Sequence, residues 1–172
     1  MPIRSLTELP DSARCWIFAA ASPLTGDAAT ALLTAVDQHL AQWAAHGTPL
    51  VCARDWQHDR FLTIAVDEAA TGASGCSIDG LFRLLAEQEA QRGVSLTDAA
   101  RVYWRHADGT ICADSRPAFK AAVAAGAVTA TTPVFDTTIT DLGRRRAAFE
   151  VPAAVSWHQR YLPASADIQT TT

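Results

Sequence analysis

Every position of Cys15-Trp16-Ile17-Phe18-Ala19-Ala20-Ala21 is apolar, the pattern of a central strand covered on both faces. After Ser22-Pro23-Leu24-Thr25-Gly26-Asp27 the rhythm changes. Leu32, Val36, Leu40 and Trp43 recur at helical spacing, and His46-Gly47 supplies a stop. Leu50 to Trp56 and Arg60 to Asp67 predict two strands joined by Gln57-His58-Asp59. In the second of these, Leu62, Ile64 and Val66 share one face by period-two alternation. A glycine-bearing loop then leads to a helix with the stripe Ile78, Leu81, Phe82 and Leu85, ended by Arg92-Gly93. With Arg101 to Arg105 as the next strand, the order is β-α-β-β-α-β, the split βαβ or ferredoxin-like arrangement. Right-handed crossovers put both helices on one sheet face. The first strand is apolar on both sides, so the opposite face needs a cover, from the rest of the chain or from a second copy.

The second half has its own rhythm. Val102 to Arg105 and Thr110 to Ala113 flank an Ala107-Asp108-Gly109 turn, a hairpin signal. Ser115-Arg116-Pro117 opens a short helix with Phe119, Ala122 and Val123 on its apolar face and Gly126 as its stop. Thr132 to Asp136 predicts a short strand and Asp141 to Phe149 a basic helix. Val151-Pro152-Ala153 and a closing segment, Ser156 to Leu162, follow. The expected fold class is therefore α+β: an arm over 1–12, a ferredoxin-like unit over 13–98 packed against a hairpin–helix–strand unit over 99–163, and a disordered tail over 164–172.

Composition narrows the function. The 172 residues carry a net charge of −4, which argues against a general electrostatic grip on nucleic acid or an anionic membrane. No apolar run approaches the ~20 residues that span a bilayer, and Met1 to Glu8 lacks the pattern of a signal peptide. Cys15, Cys52, Cys76 and Cys112 are scattered, with no CxxC and no ligand-like histidine spacing. That pattern fits reduced cysteines in a cytoplasmic protein and calls for no metal site and no cofactor.

The sharpest chemical candidate is Cys76, in Thr71-Gly72-Ala73-Ser74-Gly75-Cys76-Ser77-Ile78-Asp79. A thiol at the start of a helix lies near unpaired N–H groups and the positive dipole end, which favour its ionised form. A base must then take its proton, and His58 and His158 are the candidates. The position six after Cys76 is Phe82, so the Cys-x5-Arg spacing of a phosphate-cradling loop is missing. The architectural alternative makes Gly72 and Gly75 a tight turn, Ser77 and Asp79 helix-capping groups and Cys76 a small buried residue. His46 presents an imidazole to a pocket or favours a helix C-terminus. Trp157 and His158 bind a ligand or pin the end of the chain to the core. Arg144-Arg145-Arg146 reads as a solvated basic face, with a phosphate or acidic partner as the alternative. Tyr103 and Trp104 alternate on one strand, so one faces the core and the other is free to face outward, with a partner-binding aromatic as the alternative to packing.

Two resemblances follow from these residues. Trp16-Ile17, Trp43-x-x-His46-Gly47, Ser74 to Asp79, Phe119-Lys120, Val134-Phe135-Asp136, Val151-Pro152-Ala153 and Ser156-Trp157-His158-x-Arg160-Tyr161-Leu162 resemble a family of small, uncharacterised bacterial proteins whose members are labelled ABC transporter ATPases. That resemblance spans nearly the whole chain. It implies nucleotide hydrolysis, yet the chain has no GxxxxGKS/T loop, and Ile64-Ala65-Val66-Asp67-Glu68 alone only imitates the acidic strand of such enzymes. Tyr103-Trp104, Asp108-Gly109, Phe119, Gly126-Ala127-Val128, Thr132 to Phe135 and Val151-Pro152-Ala153 are similar to a GYF-like module, which implies an aromatic surface for extended, proline-containing peptides. Ala113-Asp114-Ser115 stands where that module has Gly-Pro. The expectation is a non-enzymatic interaction or structural protein that meets a protein partner or its own copy, with a cysteine-dependent enzyme or thiol sensor at Cys76 as the alternative.

Overall fold

The apolar run of the first half forms β1 (Arg14–Ala19) in the computed structural model, which describes residues 4–45, 47–71 and 78–163. The elements after it are α1 (Gly26–Gln42), β2 (Ala44–Ala45), β3 (Thr48–Pro49), β4 (Cys52–Gln57), β5 (Phe61–Val66), α2 (Glu68–Thr71) and α3 (Asp79–Arg92). Then come β6 (Val102–Arg105), β7 (Ile111–Asp114), α4 (Arg116–Ala124), β8 (Pro133–Phe135), α5 (Leu142–Ala148) and β9 (Glu150–Pro152), with 3-10 turns at Leu6–Glu8, Ala153–Val155 and Trp157–Tyr161. The chain is α+β. It divides into two units, residues 1–101 with 137–149, and 102–136 with 150–172. Among the described residues no helix is long and apolar enough to cross a membrane.

In the first unit β1, β5 and β4 form an antiparallel sheet in the order β1-β5-β4. Alternation sorts its side chains. Phe18, Cys52, Leu62, Ile64 and Val66 point to one face and bury against Leu32, Val36 and Leu40 of α1 and Leu81 and Leu85 of α3. Each such side chain contributes roughly 1.5–3 kcal/mol when fully buried. α1 stops at Gln42, before His46-Gly47, because Trp43 already turns extended (φ −72°, ψ 119°). α3 ends at Gly93, whose φ of +65° is the left-handed cap that glycine adopts without strain.

The opposite sheet face carries Cys15, Asp55, Phe61 and Thr63, and residues 137–149 cover it. The Cys15 thiol donates to the Ile139 carbonyl (3.9 Å), and the Phe61 and Phe149 rings meet edge to face at 5.1 Å. Arg145 Nε donates to Thr63 Oγ1 and Nη2 to Asp55 Oδ2, each at 2.9 Å. The cover that β1 demanded thus comes from the chain itself. It also corrects the reading of the arginine run as a solvated face, though only at its middle residue, since Arg146 stays exposed. Arg144 is exposed, but Arg145 is only 8% exposed, and Arg146 reaches the carbonyls of Leu6 (2.6 Å) and Leu9 (2.8 Å) and the carboxylate of Asp11. The polar pair Thr63 and Asp55 on this face accounts for the inward turn of Arg145, since burying them without a donor would be costly.

The edge of β1 away from β5 is not paired with β6. Two short extended pieces take it instead: Cys15 N–H donates to Thr140 O (2.8 Å), Ala19 N–H to Leu96 O (3.1 Å) and Ala21 N–H to Ser95 O (2.9 Å). Glu89 fixes the second piece, because its Oε1 accepts from Leu96 N–H (2.5 Å), Thr97 N–H (2.7 Å) and the Thr97 hydroxyl (2.9 Å). Burial alone would raise the Glu89 pKa, but those donors outweigh it and hold the carboxyl below its usual range.

In the second unit β6 joins a four-stranded antiparallel sheet in the order β7-β6-β8-β9, rather than extending the first sheet. Its hairpin turn to β7 takes it there, with Gly109 at φ +89° closing the turn and His106 N–H donating to Thr110 O (2.8 Å). Ser115 caps α4 by accepting from Ala118 N–H (3.3 Å), with Pro117 in the first turn. Phe119, fully buried, packs with Val102, Trp104, Val128, Val134 and Ala153.

Candidate functional site

The thiol hypothesis falls largely outside the described residues: Gly75, Cys76, Ser77 and His46 all lie there. The remaining members sit apart in role. Asp79 is exposed at the first residue of α3, where its charge favours the helix dipole. His58 is exposed on the β4–β5 turn. His58 and Asp59 both have positive φ (55° and 52°) and Arg60 N–H donates to Gln57 O (3.0 Å), a tight turn within the three-residue loop that joins the paired residues Gln57 and Phe61. Cys15, 1% exposed, has its thiol pushed up to about 11 by burial, so it is not a nucleophile at neutral pH.

His158 has the surroundings of a packing group rather than a general base. It is 0% exposed, its Nδ1 hydrogen-bonds the Ser156 hydroxyl (2.9 Å), and its ring stacks on Trp157 at 3.8 Å and meets Phe119 edge to face at 5.7 Å. Burial pushes its pKa down to about 4, with Asp136 raising it and Arg160 lowering it by smaller amounts. The unfolded chain therefore binds a proton that the folded chain refuses. Stability is full above the ordinary histidine pKa of 6.5 and is lost as pH falls from there toward 4, by on the order of 3 kcal/mol. Acid unfolding followed by fluorescence should show that loss below pH 6.5, and His158→Phe should flatten it.

Tyr103 and Trp104 are also corrected. Neither faces outward: they are 2% and 3% exposed. β6 lies between β7 and β8, and the Trp104 indole N–H is spent on Asp114 Oδ2 (2.7 Å).

The exposed aromatic surface of the second unit lies instead at the end of the described chain. Trp157 is half-buried, with its indole N–H donated to Asp136 Oδ1 (3.1 Å). Tyr161, also half-buried, meets Phe119 at 5.7 Å and Trp157 at 6.1 Å, both edge to face. Val155, two residues before Trp157, is 72% exposed. Cations flank the rings: Lys120 Nζ lies 5.5 Å from the centre of Tyr161, and the Arg160 guanidinium 5.2 Å from that of Trp157. Such a surface can receive an apolar side chain on its rings and carboxylates on its two cations. Trp157 was legible as a candidate. Val155, Tyr161, Lys120 and Arg160 were not, although a Val-x-Trp-x-x-x-Tyr run with a neighbouring arginine is an available signal.

A second feature belongs to the first unit. A cleft of about 240 Å³ is lined chiefly by Ser5, Thr7, Arg54, Asp55, Arg145 and Arg146. Arg54 is held in a two-point ion pair, Nε to Asp37 Oδ1 (2.6 Å) and Nη2 to Asp37 Oδ2 (2.8 Å). Among the described residues no group of three His, Cys, Asp or Glu side chains is placed to hold a metal ion. No family model, no curated protein and no solved structure matches this chain.

Proposed function

We propose that this chain is an interaction module that acts in the cytoplasm by docking an extended, acidic, proline-containing segment of a protein partner on Val155, Trp157 and Tyr161. The observation that carries this reading is the fixed placement of two half-buried rings beside an exposed valine. Trp157 is pinned by Asp136 and backed by His158, and Tyr161 leans on Phe119, so the rings lose little freedom on binding. Val155, at 72% exposed, is an apolar side chain with no packing role to explain it. Lys120 and Arg160 stand out in a chain of net charge −4 and select acidic residues beside the apolar contact.

The topology supports the two finer fold readings. A hairpin, a helix and two further strands in one antiparallel sheet fit a GYF-like second unit, and the order β1-β5-β4 with a helix after β1 and after β5 fits three strands of a ferredoxin-like first unit. The missing Gly-Pro of the GYF pattern argues for a docking surface at Trp157 rather than at the hairpin.

The test is fluorescence anisotropy with labelled ten-residue peptides that carry proline and glutamate. Saturable binding is expected, weakened at least roughly tenfold by Val155→Glu, which puts a like charge against the ligand. Equal affinity for a basic peptide of the same length, or no loss in the variant, would contradict the reading. Rapid alkylation of Cys76 at neutral pH in a preparation that binds no such peptide would favour the cysteine-dependent alternative.

A further inference from the structure

We propose that the chain forms a two-fold dimer through the outer face of α3, with Phe82 of each copy seated on the alanines of the other. Leu81 and Leu85 bury the inner face of α3, but Phe82 is 42% exposed and meets Phe18 edge to face at 5.3 Å. Val155 apart, it is the one large apolar side chain left exposed among the described residues. Ala86 and Ala90 lie beside it on the same exposed face, flanked by Arg83 and Glu87. The neighbouring helix of the same layer adds no charge: beyond its first turn every exposed position of α1 is alanine, threonine or glutamine. An exposed aromatic ring in a charge-poor surround is the composition of an interface core.

The spacing of these residues fits a second copy of the same helix. Across a two-fold axis the two α3 helices run antiparallel and one patch meets itself. An axis at the level of Leu85 sets Phe82 opposite the space between the partner's Ala86 and the partner's Ala90, where small side chains leave room for a ring. The same register sets Arg83 opposite the partner's Glu87, and symmetry repeats that pair on the other side of the axis. Neither Arg83 nor Glu87 has an ion-pair partner within the chain among the described residues. A layer of two such helices offers a footprint of roughly 20 by 20 Å per copy, on the order of 1,000 Å² buried in all. That area suits a weak, reversible dimer rather than an obligate one. The surface shares no residue with the docking surface of the second unit.

Sedimentation velocity of the full chain, run from low to high micromolar concentration, is expected to show a dimer that grows with concentration. Arg83→Glu alone and Glu87→Arg alone each set like charges together at both contacts, and each is expected to weaken the dimer at least roughly tenfold. Mixed in equal amounts, the two variants regain opposite charges at both contacts, so the mixed dimer is expected to approach the parent's affinity. Ala86→Arg fills the space meant for the ring without touching the core, and should also weaken the dimer at least roughly tenfold. All three positions are exposed, so circular dichroism should show the fold intact in each variant. A parent chain that stays monomeric, any single variant that dimerises as well as the parent, or a mixture no tighter than its components would overturn the proposal.

Discussion

Arg145→Ala is expected to destabilise the first unit by about 3–5 kcal/mol, because it strands a carboxylate and a hydroxyl on a covered sheet face. Arg145 is the only described side chain that joins Thr63 to Asp55, and it also lies over the Phe149 ring at 5.0 Å. Its pKa is lowered chiefly by desolvation, with Asp55 opposing, which places it among charges that the fold has stripped of water. Lysine at this position should recover little, since an ammonium cannot reach Thr63 and Asp55 together in the fork that guanidinium provides. Urea unfolding gives the comparison. A loss below about 1 kcal/mol would mean that α5 does not need its arginine, and the described cover of the sheet would be wrong.

Phe119→Ala is expected to cost the second unit about 3–5 kcal/mol, through lost burial and a cavity that its neighbours cannot close. Phe119 is 0% exposed and touches both rings that support the docking surface, His158 and Tyr161, at 5.7 Å each. Its removal should therefore also loosen Tyr161 and weaken peptide binding, whereas Phe119→Leu should retain more of both. Equal stability of the alanine variant and the parent chain in urea would show that α4 is not packed as described.

Much of the architecture was legible because local physics dictated it. The unbroken apolar run of β1, the alternation in β5 and the stripe Leu32, Val36, Leu40 each follow from a burial pattern that one face of one element sets. Gly93, Gly109 and Gly126 end elements where φ must be positive, and Ser115 with Pro117 starts α4 by capping chemistry that sequence displays directly. Partnerships set at long range were not legible. Nothing local shows that Arg145 faces a threonine 82 positions earlier, or that residues 95–96 and 140–141 take the edge of β1 in place of β6. A charge run looks the same whether it is solvated or satisfied from within the fold.

The site followed the same division. Tyr103 and Trp104 looked like a strand with one face open, yet both are buried, Trp104 packing with Phe119 and Val134 and giving its indole N–H to Asp114. His158 looked titratable and available, but stacking on Trp157 and full burial make it a neutral support. Tyr161 gains meaning only because the Trp157–Tyr161 turn brings it onto Phe119 and under Lys120.

Five tryptophans give five indole N–H signals, and only Trp157 lies in the docking surface. Adding an acidic, proline-containing peptide to nitrogen-15-labelled protein should move the Trp157 signal saturably and leave those of Trp16, Trp43, Trp56 and Trp104 in place. A still Trp157 at saturating peptide, or equal movement of all five, would contradict recognition at this surface.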